Sequence, residues 1–96
     1  MRLSADWMVG ADDRILEYLS EEGPATPSAM AKDDRMRFSR THINQRCIKL
    51  ADYGFLVNLG NGVYQITEQG EKYLAEELDA ETVEKLNGEG EGTASA

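Results

Sequence analysis

Two short runs of alternating apolar residues flank an Asn-Gly pair in the stretch FLVNLGNGVYQIT, from Phe55 to Thr67. Asn61-Gly62 is a strong signal for a tight β-hairpin, because both residue types accept the positive φ angles of a type I′ turn. A two-stranded hairpin is barely stable alone and has to pack against other elements. The stretch therefore predicts a small hairpin carried by a larger domain.

A helix with signals at both ends directly precedes the hairpin. Ser39 is a favourable N-cap, and Phe38 and Ile43 have the spacing of a hydrophobic staple. Gly54 suits the left-handed position that follows a helix end. These residues predict a helix over about 40–53.

Three more helices are predicted around these elements. The first covers about 11–22, where apolar residues recur at helical spacing. The second covers about 27–33 and starts at a Thr-Pro pair, and the last covers about 68–86 behind a Thr cap. The order helix, helix, helix, strand, strand, helix predicts a mainly α fold with a small hairpin, the winged helix-turn-helix. Residues 1–87 form this domain, and the polar, Gly-rich 88–96 is expected to be disordered.

Composition excludes several classes of protein. Cys47 and His42 are the only residues of their types, so a disulfide, a Cys-based zinc site and a Ser-His-Asp triad all lack members. We expect no enzyme, no metal and no cofactor. No apolar run is long enough for a membrane helix, and a cytoplasmic protein is expected. Cys47 is either a small core residue or a redox sensor, and His42 is either a helix-surface or phosphate contact or a pH switch.

Positive charge is concentrated in one segment of an acidic chain. The formal net charge is -8, yet six of the ten Lys and Arg residues lie between Lys32 and Lys49. On a helical wheel, the apolar side of the third helix opposes a side with Thr41, Gln45, Ile48, Lys49 and Asp52, flanked by Asn44 and Arg46. These side chains can recognise base edges in a major groove. Phosphate contacts are expected from Arg35, Arg37, Arg40, Ser39 and Arg46. The alternative is a solvated basic face without function.

The hairpin and the ends of the chain give weaker indications. The hairpin tip has no Lys or Arg, so a contact of this wing with DNA rests on Asn58 and Asn61 alone. A homodimer is expected, because one recognition helix reads only a few base pairs. The expected contact residues are Trp7, Met8, Leu74, Leu78, Val83 and Leu86. Trp7 and Met8 have two other readings, packing within the chain and a ligand cage.

The stretches ADWMVGADDRILEYLSEEGPATPSAMA and RCIKLADYGFLVNLGNGVYQITEQGEKYLAEELDA resemble the phage phi-H repressor-like winged-helix proteins of haloarchaea. The resemblance covers about 5–80. It implies a transcriptional repressor that binds double-stranded operator DNA as a dimer, and it adds Arg40 to the base-facing residues of the third helix. Ile48 stands where relatives often carry a basic residue, and the wing lacks the usual Lys or Arg.

Two further questions stay open at this point. The acidic composition, poor in Lys, is typical of proteins from a high-salt cytoplasm, but an ordinary acidic protein has the same signature. The function is either sequence-specific DNA binding or protein–protein interaction by a winged helix that no longer binds DNA. A ligand-responsive regulator would need a cavity that so small a domain can hardly hold, and no small-molecule ligand is expected.

Overall fold

The structure is a computed structural model and describes residues 2–85. Its elements are α1 (Gly10–Glu22), α2 (Pro27–Ala31), α3 (Arg40–Asp52), β1 (Leu56–Gly60), β2 (Val63–Ile66), α4 (Glu68–Leu74) and a 3-10 helix (Ala80–Thr82). The predicted order and the winged helix-turn-helix class are confirmed. The tail predicted over 88–96 and the predicted dimer contact Leu86 lie outside the described residues.

Local capping sets the bounds of α2 and α3. The Thr26 hydroxyl accepts a hydrogen bond from the Ala29 N–H at 3.1 Å, and the Ser39 hydroxyl accepts one from the His42 N–H at 3.1 Å. At the end of α3, Gly54 has a φ of 81°, and the next N–H donates to the carbonyl oxygen of Leu50 at 2.9 Å. This is a Schellman motif, in which Gly54 takes the left-handed position that the sequence predicts for it. Helix α2 ends earlier than predicted, at Ala31.

The core lies between α1, α3 and the hairpin. Helix α1 contributes Ile15, Leu16 and Leu19, α3 contributes Ile43, Cys47 and Leu50, and Met30, Met36, Phe55, Tyr64 and Tyr73 complete the buried cluster. Each helix therefore buries one apolar stripe and leaves the opposite side in solvent. For α3, that opposite side is the face whose polar residues the sequence singles out.

The hairpin is fixed in register by its turn and anchored by a third segment. Leu56 pairs with Ile66 in the antiparallel ladder, and the register shifts by one residue between Asn58 and Gly60. Asn61 and its neighbour in the turn have φ angles of 55° and 76°, as a type I′ turn requires. Ala25 then pairs with Tyr64 through two backbone hydrogen bonds of 3.1 and 2.9 Å. The wing is thereby tied to the α1–α2 connection.

The predicted extent of the last helix is wrong. Helix α4 ends at Leu74, because the chain turns at Glu76, whose φ is 66°. The Glu77 N–H donates to the Lys72 carbonyl at 2.8 Å, which closes a Schellman turn with Glu in place of the usual Gly. The chain beyond it runs beside the N-terminal segment, where the Ala80 N–H donates to the Leu3 carbonyl at 2.9 Å. Tertiary pairing thus overrides a helical pattern that was periodic in sequence.

Within residues 2–85, no helix is long and apolar enough to cross a membrane.

Candidate nucleic-acid interface

Helix α3 presents a mixed polar and apolar face to solvent. Arg40, Thr41 and Gln45 are exposed, and Ile48 has an exposed fraction of 48%. Asn44 and Lys49 are half-buried at the edges of this face. These six residues are the ones predicted to contact bases, and the structure brings them to one side of a helix of 13 residues. An amide, a hydroxyl and a β-branched side chain at successive turns offer hydrogen bonds and an apolar contact to base edges.

Two arginines stand at the N-terminal end of α3 in a position to meet phosphate. Arg37 and Arg40 are exposed, and within the described part of the chain neither has an acidic partner. The N-terminal N–H groups of α3 add a partial positive charge there. The Ser39 hydroxyl already accepts the His42 N–H, and its own proton stays available for a phosphate oxygen.

Arg35 was also predicted to contact phosphate, but its guanidinium is engaged by three acidic side chains. It lies 3.0 Å from Asp33, 3.0 Å from Glu21 and 3.2 Å from Glu22, and 5.5 Å from the centre of the Tyr18 ring. The hydrogen bond with Asp33 raises the pKa of Arg35 and lowers that of the carboxylate. Arg35 therefore links the turn before α3 to the end of α1.

Arg46, also predicted to contact phosphate, lies on the inner flank of α3, where its guanidinium is hydrogen-bonded within the protein. Its Nε donates to Asp12 Oδ1 at 2.9 Å and its Nη2 to Asp12 Oδ2 at 2.9 Å. Nη2 also donates to the carbonyl oxygen of Trp7 at 2.9 Å. The side chain of Asp12 is completely buried, and hydrogen bonding to it raises the pKa of Arg46.

The wing is apolar and carries no cation. Val57 and Leu59 have exposed fractions of 43% and 54%, and the stretch from Phe55 to Thr67 contains no Lys or Arg. The Asn58 side chain accepts a hydrogen bond from the Gly60 N–H at 2.8 Å and thereby shapes the bulge, whereas Asn61 is exposed in the turn. Neither asparagine was predicted to be more than a weak contact, and this geometry adds nothing to that prediction.

Among residues 2–85, those predicted to form a dimer contact pack largely within their own chain. Trp7 stacks on Tyr53, with ring centroids 4.0 Å apart and planes inclined by 17°. Met8, Leu74, Leu78 and Val83 are partly buried against the core. The reading of Trp7 and Met8 as packing residues therefore accounts for them, and dimerisation stays a prediction.

Other candidate chemistry is not favoured in the described region. Cys47 is fully buried, and this burial raises the pKa of its thiol to about 12. Such a thiol is poorly accessible and poorly ionised, which supports the core reading over the redox sensor. The His42 ring lies 5.6 Å from the Phe38 ring on the helix surface. Residues 2–85 contain no group of His, Cys, Asp and Glu side chains arranged to hold a metal ion.

A three-helix unit with an exposed polar recognition face, followed by a hairpin wing, defines the class of winged helix-turn-helix DNA-binding proteins. The chain matches the winged helix-turn-helix phage repressor family over residues 1–86 and belongs to that family. Its members are DNA-binding regulators and not enzymes.

Two relatives illustrate the similarity. The repressor protein of Halobacterium phage phiH is 35% identical over 91 residues, which cover 88% of this chain and 99% of that protein. The crystal structure of the PhiH1 repressor-like protein from Haloarcula marismortui superposes with a TM-score of 0.84 at 46% identity, covering 88% of this chain and 97% of the other.

Proposed function

We propose that the protein is a sequence-specific transcriptional repressor that places α3 in the major groove of operator DNA. The observation that carries the proposal is the exposure of Thr41, Gln45 and Ile48 on one face of α3. That face bears no acidic residue between Arg40 and Lys49, and Asp52 follows only at the C-terminal end of the helix. Gln45 offers a bidentate pair to adenine, and Ile48 offers an apolar surface to a thymine methyl group.

Charge supports the same orientation. Arg37 and Arg40 flank the N-terminus of α3, where they contact phosphates while the helix lies in the groove. The stretch from Arg35 to Lys49 contains no acidic residue, so the net charge of -8 is compatible with local binding of DNA there. The apolar wing supplies no electrostatic attraction, and Asn58 and Asn61 contribute little.

The test compares Gln45→Ala with Gln65→Ala on an operator selected from random DNA. Both glutamines are exposed, but Gln65 lies on β2 and outside the proposed recognition face. We expect Gln45→Ala to weaken specific binding by about 1–3 kcal/mol and to leave non-specific binding nearly unchanged, because one bidentate base contact is lost. The control variant is expected to retain the affinity of the unmodified chain. Equal specific affinity for Gln45→Ala and the unmodified chain, measured by fluorescence anisotropy, would contradict the orientation of α3.

We also infer a homodimer on the operator. Helix α3 has 13 residues and is about 20 Å long, so a single copy reads only a few base pairs. A two-fold dimer doubles the site, with half-sites roughly 34 Å apart. Trp7 and Leu74 are partly buried within their own chain. In a dimer, only the exposed part of each of these side chains would therefore contact the second copy. Light scattering at micromolar concentration, with and without operator, tests this: a monomer in both conditions excludes it.

The alternative is a protein-interaction module that keeps the fold without binding DNA. The absence of Lys and Arg from the wing and the acidic net charge of the chain support this alternative. An interaction module and a repressor differ in one simple measurement, since only the repressor shifts a specific DNA fragment in a gel at high KCl.

A further inference from the structure

Asp12 and Arg46 form a buried ion pair between α1 and α3. Both carboxylate oxygens of Asp12 accept hydrogen bonds of 2.9 Å from the guanidinium, and Oδ2 also accepts the Val9 N–H at 3.0 Å. The Asp12 side chain has no exposed surface, and 17% of the Arg46 side chain is exposed. A buried ion pair of this kind adds little net stability over an apolar pair, but its two-pronged geometry defines how its elements are oriented.

The segment 2–9 contacts α3 at a second point. The Trp7 carbonyl accepts from Arg46 Nη2 at 2.9 Å, while the Trp7 ring stacks on Tyr53 at the C-terminal end of the helix. The Lys49 ammonium lies 5.9 Å from the centre of the other ring in this stack. The rotation of α3 about its axis and the position of its end are therefore held by two different contacts.

We propose that the Asp12–Arg46 pair, with the Trp7–Tyr53 stack, fixes the rotation of α3 at which its outer face reads DNA. This inference rests on the proposed function. Arg46 is then a positioning residue and not a phosphate contact. Arg46 directly follows Gln45 in the chain and lies about 100° further around the helix. Because the two residues share one rigid helix, fixing the Arg46 side chain also fixes the direction in which Gln45 points. Hydrogen bonds to base edges require donor–acceptor distances of about 2.7–3.2 Å and tolerate little rotation.

A phosphate role for Arg46 conflicts with the geometry. Its Nε and Nη2 are occupied by Asp12 and the Trp7 carbonyl. Turning the guanidinium toward a phosphate would leave the Asp12 carboxylate buried without its counter-charge, which is strongly unfavourable. The positive charge of Arg46 is thus used within the protein, and the interface keeps only the cations that lack such partners.

The experiment uses the full chain and the double variant Asp12→Leu with Arg46→Met, which replaces the ion pair by apolar side chains of similar size. Folding is checked by far-ultraviolet circular dichroism. Trp7 is the single tryptophan, so the near-ultraviolet signal of tryptophan reports its stack on Tyr53. We expect the double variant to fold, to change this signal and to lose at least tenfold in specific affinity, with non-specific affinity and salt dependence unchanged.

The matched control is Arg37→Met, which removes an exposed cation at the same interface. It is expected to weaken specific and non-specific binding alike and to reduce the slope of log affinity against log salt by about 0.9. If the double variant behaves as this control does, Arg46 contacts phosphate and the proposal is wrong. Unchanged specific affinity in the double variant also overturns it.

Arg46→Lys covers the case in which the double variant does not fold. Lysine keeps the charge but lacks the planar fork, so a positioning role predicts a tenfold loss of specific affinity and a phosphate role predicts almost none. An unmodified chain that binds no DNA at all would refute the proposed function. The near-ultraviolet signal of Trp7 would still decide whether the Asp12–Arg46 pair holds the stack of Trp7 on Tyr53. If this signal were the same in Arg46→Lys as in the unmodified chain, the pair would not hold the stack.

Discussion

Arg35 Nη1 lies 3.0 Å from Glu21 Oε1 in α1, and this ion pair distinguishes Arg35 from Arg37. The two arginines are two positions apart and have the same side chain. One is surrounded by acidic side chains of its own chain, whereas the other has no acidic partner among residues 2–85. We therefore propose that Arg37 contacts DNA and that Arg35 does not.

The difference predicts opposite results for two alanine variants. Arg37→Ala is expected to lower affinity for specific and non-specific DNA alike and to reduce the log–log salt slope by about 0.9, because one phosphate contact is lost. Arg35→Ala is expected to leave the slope unchanged. Fluorescence anisotropy at several KCl concentrations measures both slopes. A reduced slope in Arg35→Ala would show that Arg35 exchanges its acidic partners for phosphate.

The internal pairing of Arg35 and Arg46 also predicts that the affinity for DNA depends only weakly on salt. Of the six cations between Lys32 and Lys49, Arg35 and Arg46 are paired internally, so at most four remain for phosphate, including two that are also predicted to contact bases. Counterion release then gives a slope no steeper than about -4 per bound chain. Hydrogen bonds and apolar contact from Gln45 and Ile48 are little affected by salt. We therefore expect specific affinity to fall far less with added KCl than for a basic helix-turn-helix protein of this size.

A titration from about 0.2 M to about 3 M KCl tests this, with circular dichroism as the control for folding. Retained specific binding at the upper end fits a protein adapted to a high-salt cytoplasm. A steep, continuous loss while the protein stays folded would contradict both the habitat hypothesis and the division between base and phosphate contacts.

Close packing of α4 on the hairpin makes Gly70 sensitive to substitution. A Cβ at this position would lie 2.6 Å from the Phe55 carbonyl oxygen and 2.7 Å from an Ile66 side-chain carbon. Gly70→Ala is expected to destabilise the fold by about 1–3 kcal/mol through overpacking. Gly10→Ala is the matched control, because nothing lies within 4 Å of a Cβ there. Urea denaturation of both variants measures the difference in the free energy of unfolding. Equal values for the two variants would contradict the prediction and mean that the hairpin moves to accommodate the added methyl group.

Sequence alone could predict the elements whose ends are set by near neighbours. Ser39, Gly54 and Asn61 act through contacts within a few residues, and the structure has the predicted caps and turn. The outward face of α3 followed from helical periodicity for the same reason. The turn at Glu76 could not be predicted, because Glu rarely adopts the left-handed conformation and nothing in the neighbouring sequence indicates it. The chain beyond this turn is held by long-range pairing with the N-terminal segment.

Contacts between residues far apart in the chain could not be predicted from local sequence patterns either. Arg46 and Asp12 are 34 positions apart, and either residue read alone resembles an ordinary surface charge. Trp7 and Tyr53 meet only after the N-terminal segment folds back along α3. The sequence thus indicated which helix is the candidate for reading DNA, but it could not show that Arg46 of this helix pairs with Asp12 within the protein.

Selection of bound sequences from a random double-stranded DNA pool tests the central claim most directly. It is carried out with the unmodified chain, with Gln45→Ala and with Gln65→Ala. We expect one motif for the unmodified chain and for Gln65→Ala, and the same motif with preference lost at one base pair in each half-site for Gln45→Ala. No enriched motif, or an identical motif from all three proteins, would contradict base reading by the exposed face of α3.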